Sequence, residues 1–398
     1  MDLSEVKIAE YSGQRIWMVR AEQGKFFSHF RAHSIISIGH LDKFFNHTLE
    51  GVAKLPTDER IRALIINDAR YADKKSKSPK LNGSGNKFYN QILHFLHDIK
   101  KGDLILTLND AEVMVGVCTA SKAVLRSRPL KVVNEQDRTR RPQLTHRLRK
   151  DVEWGPVVSR SAVGGLLKKP FQSRQTVVQL NDFWKEVFGL LYPFFTDGSN
   201  IHFSTNIGRD QQINGKVISK LFENLADVQV IAEALLKGKL EKGFVTCLLN
   251  DDIPWSQYGL TAKAHFMSKG AIYSTVPLPD FVNPVLAIKV IALVFLLNSG
   301  MVEAGDLVPP ALDGKDKSLY LPSGLIDERS AARAGTANLD RMLAELAAQN
   351  KQDLEEIKAK KKIVQVKKKL RLTIPKNDTT TLEEKAGVKF MRLGRDEE

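Results

Sequence analysis

Cysteine is scarce in this chain, which excludes a disulfide-rich scaffold. Only two cysteines, Cys118 and Cys247, occur among 398 residues. Each stands in a short apolar run, VMVGVCTA and FVTCLL, of the kind that forms a buried strand. We therefore expect both to be small core residues in a protein of the reducing cytoplasm.

Long uncharged apolar runs are also missing. The most hydrophobic stretch, residues 284–298 (PVLAIKVIALVFLLN), contains Lys289 and is shorter than the roughly 20 residues that span a bilayer. The N-terminal sequence MDLSEVKIAE lacks the positive start and the apolar stretch of a secretory signal. We expect 284–298 to form a buried helix and the chain to be cytoplasmic, with no membrane span.

Familiar metal and nucleotide motifs are absent as well. The acid-x-Lys pairs that a PD-(D/E)xK nuclease needs, such as Asp98/Lys100 and Asp313/Lys315, lie outside convincing apolar strands. The segment 208–216 (GRDQQINGK) has its glycines too far apart for a phosphate loop, and Val217 replaces the required Ser or Thr. The histidines and cysteines show no zinc spacing. The sequence therefore predicts no metal and no cofactor.

Positive charge is abundant. The chain has 60 Lys and Arg against 46 Asp and Glu, a formal charge of +14, which favours a polyanionic partner such as nucleic acid. Ten basic residues and only two acidic ones fall within residues 120–150. The basic ones are Lys122, Arg126, Arg128, Lys131, Arg138, Arg140, Arg141, Arg147, Arg149 and Lys150. This segment is predicted to be a cationic loop that contacts phosphates.

Residues 1–160 are predicted to form one domain of short strands and helices. The expected strands are 14–20, 34–39 and Val152–Trp154, and the expected helices are Leu41–Leu55, Thr57–Ile66 and Phe88–Ile99. Two apolar runs, LILTLND and AEVMVGVCTA, meet at Asn109-Asp110-Ala111, the pattern of a hairpin in a small barrel. Val152–Trp154 is expected to close that barrel.

Residues 161–327 are predicted to form a mixed α/β domain, so that the whole chain belongs to the α+β class. Its expected helices are Asn181–Leu191, Asn214–Leu225, Asp227–Leu240 and 284–298, and its expected strands are Ile201–Thr205, Phe244–Leu249 and Ala271–Val276. Residues 328–398 are predicted to be an amphipathic helix, 328–357, followed by a basic tail. Eight of the 14 residues from Lys358 to Arg371 are basic, which predicts a solvated tail or docking arm outside any core.

The order of motifs in the first 160 residues resembles the N-terminal domain of Mrr-like restriction proteins. The motifs are IWMVRA, IISIGH, KKGDLILTLND-AEVMVGVCTAS and THRLRKDVEW, followed by VVSRSAVGGLLKK. That domain belongs to the PUA-like fold, which includes EVE and YTH modules. The resemblance implies a small β-barrel that accepts a flipped or single-stranded base, modified bases among them, in a pocket beside the barrel.

The resemblance also implies which residues contact nucleic acid. On the strands and at the turn it selects Trp17, Ser37, Gly39, His40 and Trp154, with His40 at a position where relatives often carry an aromatic residue such as Trp. Gly39 would let a planar ligand approach the backbone. For both tryptophans a place in the core is favoured over a place in the pocket, since large aromatic side chains usually stabilise a protein by burial. In the cationic loop, the expected nucleic-acid contacts are Arg126, Arg128, Arg138, Arg140, Arg141 and Arg147.

Three hypotheses follow from the sequence. The leading one is a cytoplasmic, restriction-type or antiviral defence protein that senses bases in nucleic acid, DNA rather than RNA. The second is a divergent metal-dependent nuclease in the central domain, using Asp251 and Asp252 and drawing on His202, Asp210 and His265. The third is an interaction subunit of a larger defence complex, which docks or oligomerises through residues 328–357 and the basic tail.

Overall fold

The computed structural model describes residues 6–44, 52–132, 142–160, 163, 165–209, 213–266, 270–302 and 350–393. Several predicted features lie outside these residues. They are Arg138, Arg140 and Arg141 of the cationic loop, Asp210, and the part of the predicted C-terminal helix before residue 350. Those predictions stay as they were made.

An eight-stranded sheet, curled into a half-barrel, organises the first part of the chain. Its strands are β2 (Ile16–Val19), β3 (Ile35–Ile38), β4 (Val52–Ala53), β5 (Leu104–Leu108), β6 (Glu112–Cys118), β7 (Val124–Arg126), β8 (Leu148–Ser159) and β9 (Val177–Gln179). Their order is β4-β7-β8-β6-β5-β2-β9, and β3 also pairs with β8. Three helices accompany the sheet, α1 (Phe27–His33), α2 (Asp58–Ile66) and α3 (Gly83–Leu93).

Strand β8 causes much of the curl. Its first half pairs with β3 and β7, whereas its second half pairs with β6. The register between β6 and β8 shifts between Met114 and Gly116, an irregularity that increases local twist. The predicted strand at 152–154 is therefore the middle of a much longer strand.

A seven-stranded sheet organises the rest of the chain. Its strands are β1 (Lys7–Glu10), β10 (Phe194–Thr196), β11 (Asn200–Ile207), β12 (Thr261–Phe266), β13 (Gly270–Pro277), β14 (Leu372–Thr373) and β15 (Lys389–Arg392). The order is β12-β13-β11-β10-β1-β15, with β14 beside β11. The accompanying helices are α4 (Gly165–Phe171), α5 (Trp184–Leu191), α6 (Gly215–Leu236), α7 (Lys242–Leu249), α8 (Pro284–Asn298), α9 (Lys351–Lys360), α10 (Ile363–Leu370) and α11 (Thr380–Ala386).

Three apolar clusters form the core. One lies against the half-barrel and includes Phe30, and a second joins the two sheets through residues such as Met18 and Phe188. In the third, Phe203 of β11 stacks on Phe295 of α8, with ring centroids 4.5 Å apart. Helix α8 is buried along almost its whole length, as predicted from its composition. No helix in the described part of the chain is long and apolar enough to cross a membrane.

The sheets cross the domain boundaries expected from the sequence. Strands β1 and β2 are neighbours in sequence but belong to different sheets, and β9, which lies beyond residue 160, pairs with β2. Strand β15, near the C-terminus, pairs with β1. The α+β class is confirmed, while the division at residues 160 and 327 stays a prediction.

Two central elements differ from prediction. Residues 244–249 form helix α7 rather than a strand, and Cys247 is exposed rather than buried. The apolar run is one side of an amphipathic helix, because Val245 and Leu248, three residues apart, are its buried positions. The two helices expected at 214–225 and 227–240 are the single helix α6. Cys118 is buried in β6, as expected.

Two further predictions are wrong. The helix expected over 41–55 is not continuous, because only Asp42–Phe44 form a short 3-10 turn and Val52–Ala53 form β4. The basic segment 358–371 is not a solvated tail, since α9 and α10 pack against the central helices. Ile363, Val366 and Leu370 recur at helical spacing and are buried. Counting the basic residues of the segment, without their helical spacing, hid this apolar stripe.

Candidate nucleic-acid interface

A cavity of about 950 Å³ opens beside the half-barrel. We call it the His40 cavity. It lies where the ends of β2, β3, β5 and β8 meet the segment 172–176. Its lining residues are Arg20, Glu22, Gln23, Gly39, His40, Asp42, Phe88, Leu108, Asn109, Asp110, Thr145, His146, Arg160, Gln172, Ser173, Arg174 and Thr176. Two of the predicted site residues, Gly39 and His40, are therefore brought together here.

The floor of the cavity is built on the loop that follows β3. Ser37 is fully buried, and its Oγ lies 3.2 Å from Nδ1 of His146. A Cβ added to Gly39 would lie 2.9 Å from Cδ2 of His146 and 3.0 Å from Oδ2 of Asp42. Glycine at 39 is required because both polar side chains occupy that space. The predicted Ser37-Gly39-His40 group thus has a fourth and a fifth member, His146 and Asp42.

An aromatic stack forms one wall. The ring of His40 packs on Phe88 with centroids 4.5 Å apart, and Phe88 stacks on Tyr71 at 4.6 Å. The ammonium group of Lys43 lies 4.4 Å from the Tyr71 ring centroid and also forms an ion pair with Asp68. The stack ends at His40, whose ring nitrogens have no hydrogen-bond partner among the described residues.

Three guanidinium groups, which we call the guanidinium wall, also line the cavity. Arg20 donates a 2.8 Å hydrogen bond to the carbonyl of Phe171 and another to that of Ser173. Arg160 donates to the carbonyl of Asn109 at 2.8 Å. Arg174 is exposed and has no hydrogen bond within the described chain. Each guanidinium has five N–H donors, so all three retain donors that can reach a ligand.

The imidazoles of the cavity are neutral at physiological pH. Burial, with help from the nearby charge of Lys43, lowers the pKa of His40 to about 4. Burial also lowers the pKa of His146. The pKa of the Asp42 carboxyl is raised by burial, although the main-chain N–H of Arg147, 2.9 Å away, opposes this. The floor therefore presents hydrogen-bonding groups with little positive charge, and the positive charge comes from the guanidinium wall.

The two predicted tryptophans do not line the cavity. Trp17 is 3% exposed, and its Nε1–H donates to Asp103 at 3.1 Å. Trp154 donates its Nε1–H to the carbonyl of Phe30 at 2.7 Å. These partners satisfy the polar edge of each ring, as expected for aromatic residues placed in a core.

The cationic loop divides into exposed and buried members. Arg126 and Arg128 are exposed, whereas Arg147 is 9% exposed beside Asp42. Two neighbours act inside the protein: Arg149 donates to the carbonyls of His146 and Arg128, and the ammonium of buried Lys150 donates to those of Leu96 and Ile99. Burial lowers the pKa of Arg149 and of Lys150. The described loop cations with the exposure that a phosphate contact needs are Lys122, Arg126, Arg128 and Lys131.

Sequence reasoning missed most of the cavity. Arg20, Phe88, Arg160 and Arg174 come from four separate segments and carry no common motif. His146 lies within the segment 120–150, which was interpreted from its basic residues alone. Its packing beside Gly39 depends on β3 pairing with β8, which no local pattern encodes.

Of the residues considered for a nuclease, Asp210 lies outside the described residues, and the described ones form no metal-binding group. Asp251 is exposed and lies 3.6 Å from the ammonium of Lys361. His202 is buried, bonds Thr275 at 2.9 Å and lies 3.3 Å from Asp197. His265 is on strand β12. Within the described residues, no group of three His, Cys, Asp or Glu side chains could hold a metal ion.

Comparisons with known proteins add no relative. No family model, no curated protein and no solved structure matches this chain. A functional proposal therefore depends on the geometry of the His40 cavity and on the motif resemblance of the first 160 residues.

Proposed function

We propose that this protein binds nucleic acid, DNA in the first instance, and accepts one unstacked base in the His40 cavity. The observation that carries the proposal is that one cavity is lined both by an aromatic stack that ends at His40 and by the guanidinium groups of Arg20, Arg160 and Arg174. A nucleotide has the matching two parts, a flat base and an anionic phosphate.

The energetics are compatible with this role. Extruding a base from a duplex costs a few kcal/mol, and stacking it on an aromatic side chain returns about 1–3 kcal/mol. The guanidinium wall adds charge-assisted hydrogen bonds to phosphate. A volume of about 950 Å³ is near the upper end of the range for ligand sites, roughly 300–1,000 Å³.

The floor supplies the means to read the edge of a base. The side chains of His146 and Asp42 occupy the space beside Gly39, so their polar atoms, rather than the Gly39 backbone expected from the sequence, are available to the edge of a base. Neutral imidazoles can donate from one nitrogen and accept at the other. A modified or mispaired base is favoured, since it is extruded at lower cost.

The motif resemblance supports the same role in a wider setting. The protein would then be a cytoplasmic restriction-type or antiviral defence protein. It would combine a PUA-like reader at the N-terminus with a central effector or assembly region and a C-terminal segment. The half-barrel sheet with a cavity at its strand ends is compatible with such a reader.

A duplex carrying 2-aminopurine tests the proposal, because this base fluoresces weakly when stacked and brightly when extruded. We expect fluorescence to rise on binding to plain or modified-cytosine DNA. His40→Ala should abolish the rise and weaken binding about tenfold, since stacking is worth about 1–3 kcal/mol per base. The matched control is His97→Ala, an imidazole more than half exposed and outside the cavity.

A second pair of variants guards against misfolding. Gly39→Ala places a methyl group against His146 and Asp42, whereas Gly83→Ala places one in open space. We expect only the first to reduce fluorescence and affinity. Negligible binding to every DNA and RNA probe, or equal behaviour of His40→Ala and His97→Ala, would remove the proposal.

A further inference from the structure

A cluster of cations lies far along the chain from the His40 cavity residues, where the start of α6 meets the end of α10. We call it the α6–α10 patch. Its members come from two segments more than 150 residues apart in sequence. They are Arg209, Lys216, Lys368, Lys369 and Arg371.

Main-chain contacts hold the two segments together. The N–H of Gly208 donates to the carbonyl of Arg371, and the guanidinium of Arg209 donates to the carbonyl of Lys369, each at 3.2 Å. Strand β14, directly after Arg371, pairs with the end of β11. The patch is therefore part of the folded framework and does not depend on a loose tail.

The packing of the two helices brings the cations side by side. Lys361, just before α10, pairs with Asp227 midway along α6, while Arg371, just after α10, contacts Gly208, before α6. The helices thus run antiparallel, and the last turn of α10 lies beside the first turn of α6.

The charges of the patch have no acidic partners in the described chain. None of the five forms an ion pair with a described carboxylate; Asp210, next to Arg209 in sequence, is outside the described residues. Lys368 and Lys369 lie at the C-terminal end of α10, where the negative end of the helix dipole stabilises a positive charge. Lys216 lies at the N-terminal end of α6, where the dipole is positive and destabilises a lysine, and no acidic residue occurs in that first turn. Helix stability alone does not explain the cluster.

We propose that the α6–α10 patch binds the phosphodiester backbone of nucleic acid. Arg209 uses one donor on Lys369 and keeps others that can reach phosphate oxygens, and the neighbouring lysines add unpaired charge. An anionic membrane is the weaker match, since peripheral membrane binding needs apolar side chains to insert, and Val364 is the single large hydrophobic residue exposed on α10. This contact is independent of base recognition in the His40 cavity.

The test is the salt dependence of binding to a plain duplex, in which no base need be extruded. Each phosphate contact contributes about 0.9 to the slope of log affinity against log salt. The triple variant Lys216→Gln, Lys368→Gln, Lys369→Gln should therefore lower that slope by about two to three. The matched control, Lys101→Gln, Lys239→Gln, Lys351→Gln, removes the same charge from exposed lysines elsewhere and should change the slope by less than one.

The two proposals fail separately. Equal slopes for the two triple variants would overturn the patch and leave the 2-aminopurine result unaffected. No binding of plain duplex at low salt would also overturn the patch, and base extrusion would then be tested on modified-cytosine DNA alone. If the patch triple variant lost binding to vesicles containing anionic phospholipid but bound DNA as the wild type does, the patch would be assigned to a membrane instead. Melting curves of both triple variants confirm that the fold is intact.

Discussion

Gly116 and Gly39 illustrate, at the scale of single residues, how missing side chains shape this molecule. Gly39 leaves room for His146 and Asp42 at the cavity floor. At Gly116, an added Cβ would lie 2.6 Å from the carbonyl oxygen of Glu153 and 2.7 Å from the ring of Trp154. Gly39 leaves room for side chains of the cavity, and Gly116 allows strands β6 and β8 of the half-barrel to approach each other.

Gly116→Ala should destabilise the protein by about 1–3 kcal/mol, the usual effect of overpacking a core. The methyl group would press on main chain, which cannot move without disturbing the pairing of β6 and β8. Gly243→Ala is the control, because it lies at the start of a helix with nothing within 4 Å. Urea denaturation measures both, and equal midpoints would contradict the expectation.

His202 should make stability depend on pH. Burial, aided by the charge of Lys185, lowers the pKa of His202 to about 4, below the value of about 6.5 in an unfolded chain. The unfolded state therefore binds the proton first. Stability from the neutral ring is complete above pH 6.5 and falls by about 3 kcal/mol as pH drops to about 4.

His202→Gln should flatten this pH profile, whereas His33→Gln, which replaces a partly exposed ring, should leave it unchanged. Urea midpoints measured at intervals between pH 7 and pH 4 provide the comparison. A wild-type profile that matches that of His202→Gln would show that this ring does not contribute.

At the scale of elements, α10 shows how a basic segment can belong to a core. Its apolar residues face α6, and Lys361 forms a 3.0 Å ion pair with Asp227, each side chain 5% exposed. Burial raises the pKa of Asp227, and the charge of Lys361 opposes this. The pair fixes the position of α10 along α6, because a shift of α10 would leave the Asp227 carboxylate buried without a partner.

Lys361→Met should cost about 3–5 kcal/mol of stability, since it leaves the Asp227 carboxylate buried without its partner. Lys360→Met removes the exposed lysine one residue earlier in the sequence and should cost under about 1 kcal/mol. Adding Asp227→Leu to Lys361→Met should recover much of the loss. If both lysine variants unfold at the same urea concentration, the pair does not hold the helix.

Local patterns account for the elements that local forces determine. Strand β3, the β5–β6 hairpin and helix α8 are all readable from apolar periodicity and turn residues, and Gly39 and His40 follow from the motif after β3. Helix α7 was misassigned because a short apolar run does not distinguish a strand from one face of a helix. The guanidinium wall could not be predicted, since it forms only when segments far apart in sequence pack together.

At the scale of the whole molecule, the two ends of the chain share a sheet edge. Removing residues 387–398 should destabilise the protein by about 3 kcal/mol or more, because Val388 and Leu393 are buried and each is worth about 1.5–3 kcal/mol. It also uncovers the edge of β1, so aggregation should increase. Removing 394–398 alone is the control. Equal melting temperatures for the two truncations would contradict the expectation.

The pairing of β1 with β15 also has a consequence for how the protein is made. While the ribosome is still translating the chain, β1 has no neighbour until β10 emerges, and its other edge stays bare until β15 has been synthesised. The half-barrel can assemble once β9 has left the exit tunnel, whereas the second sheet must wait for β15.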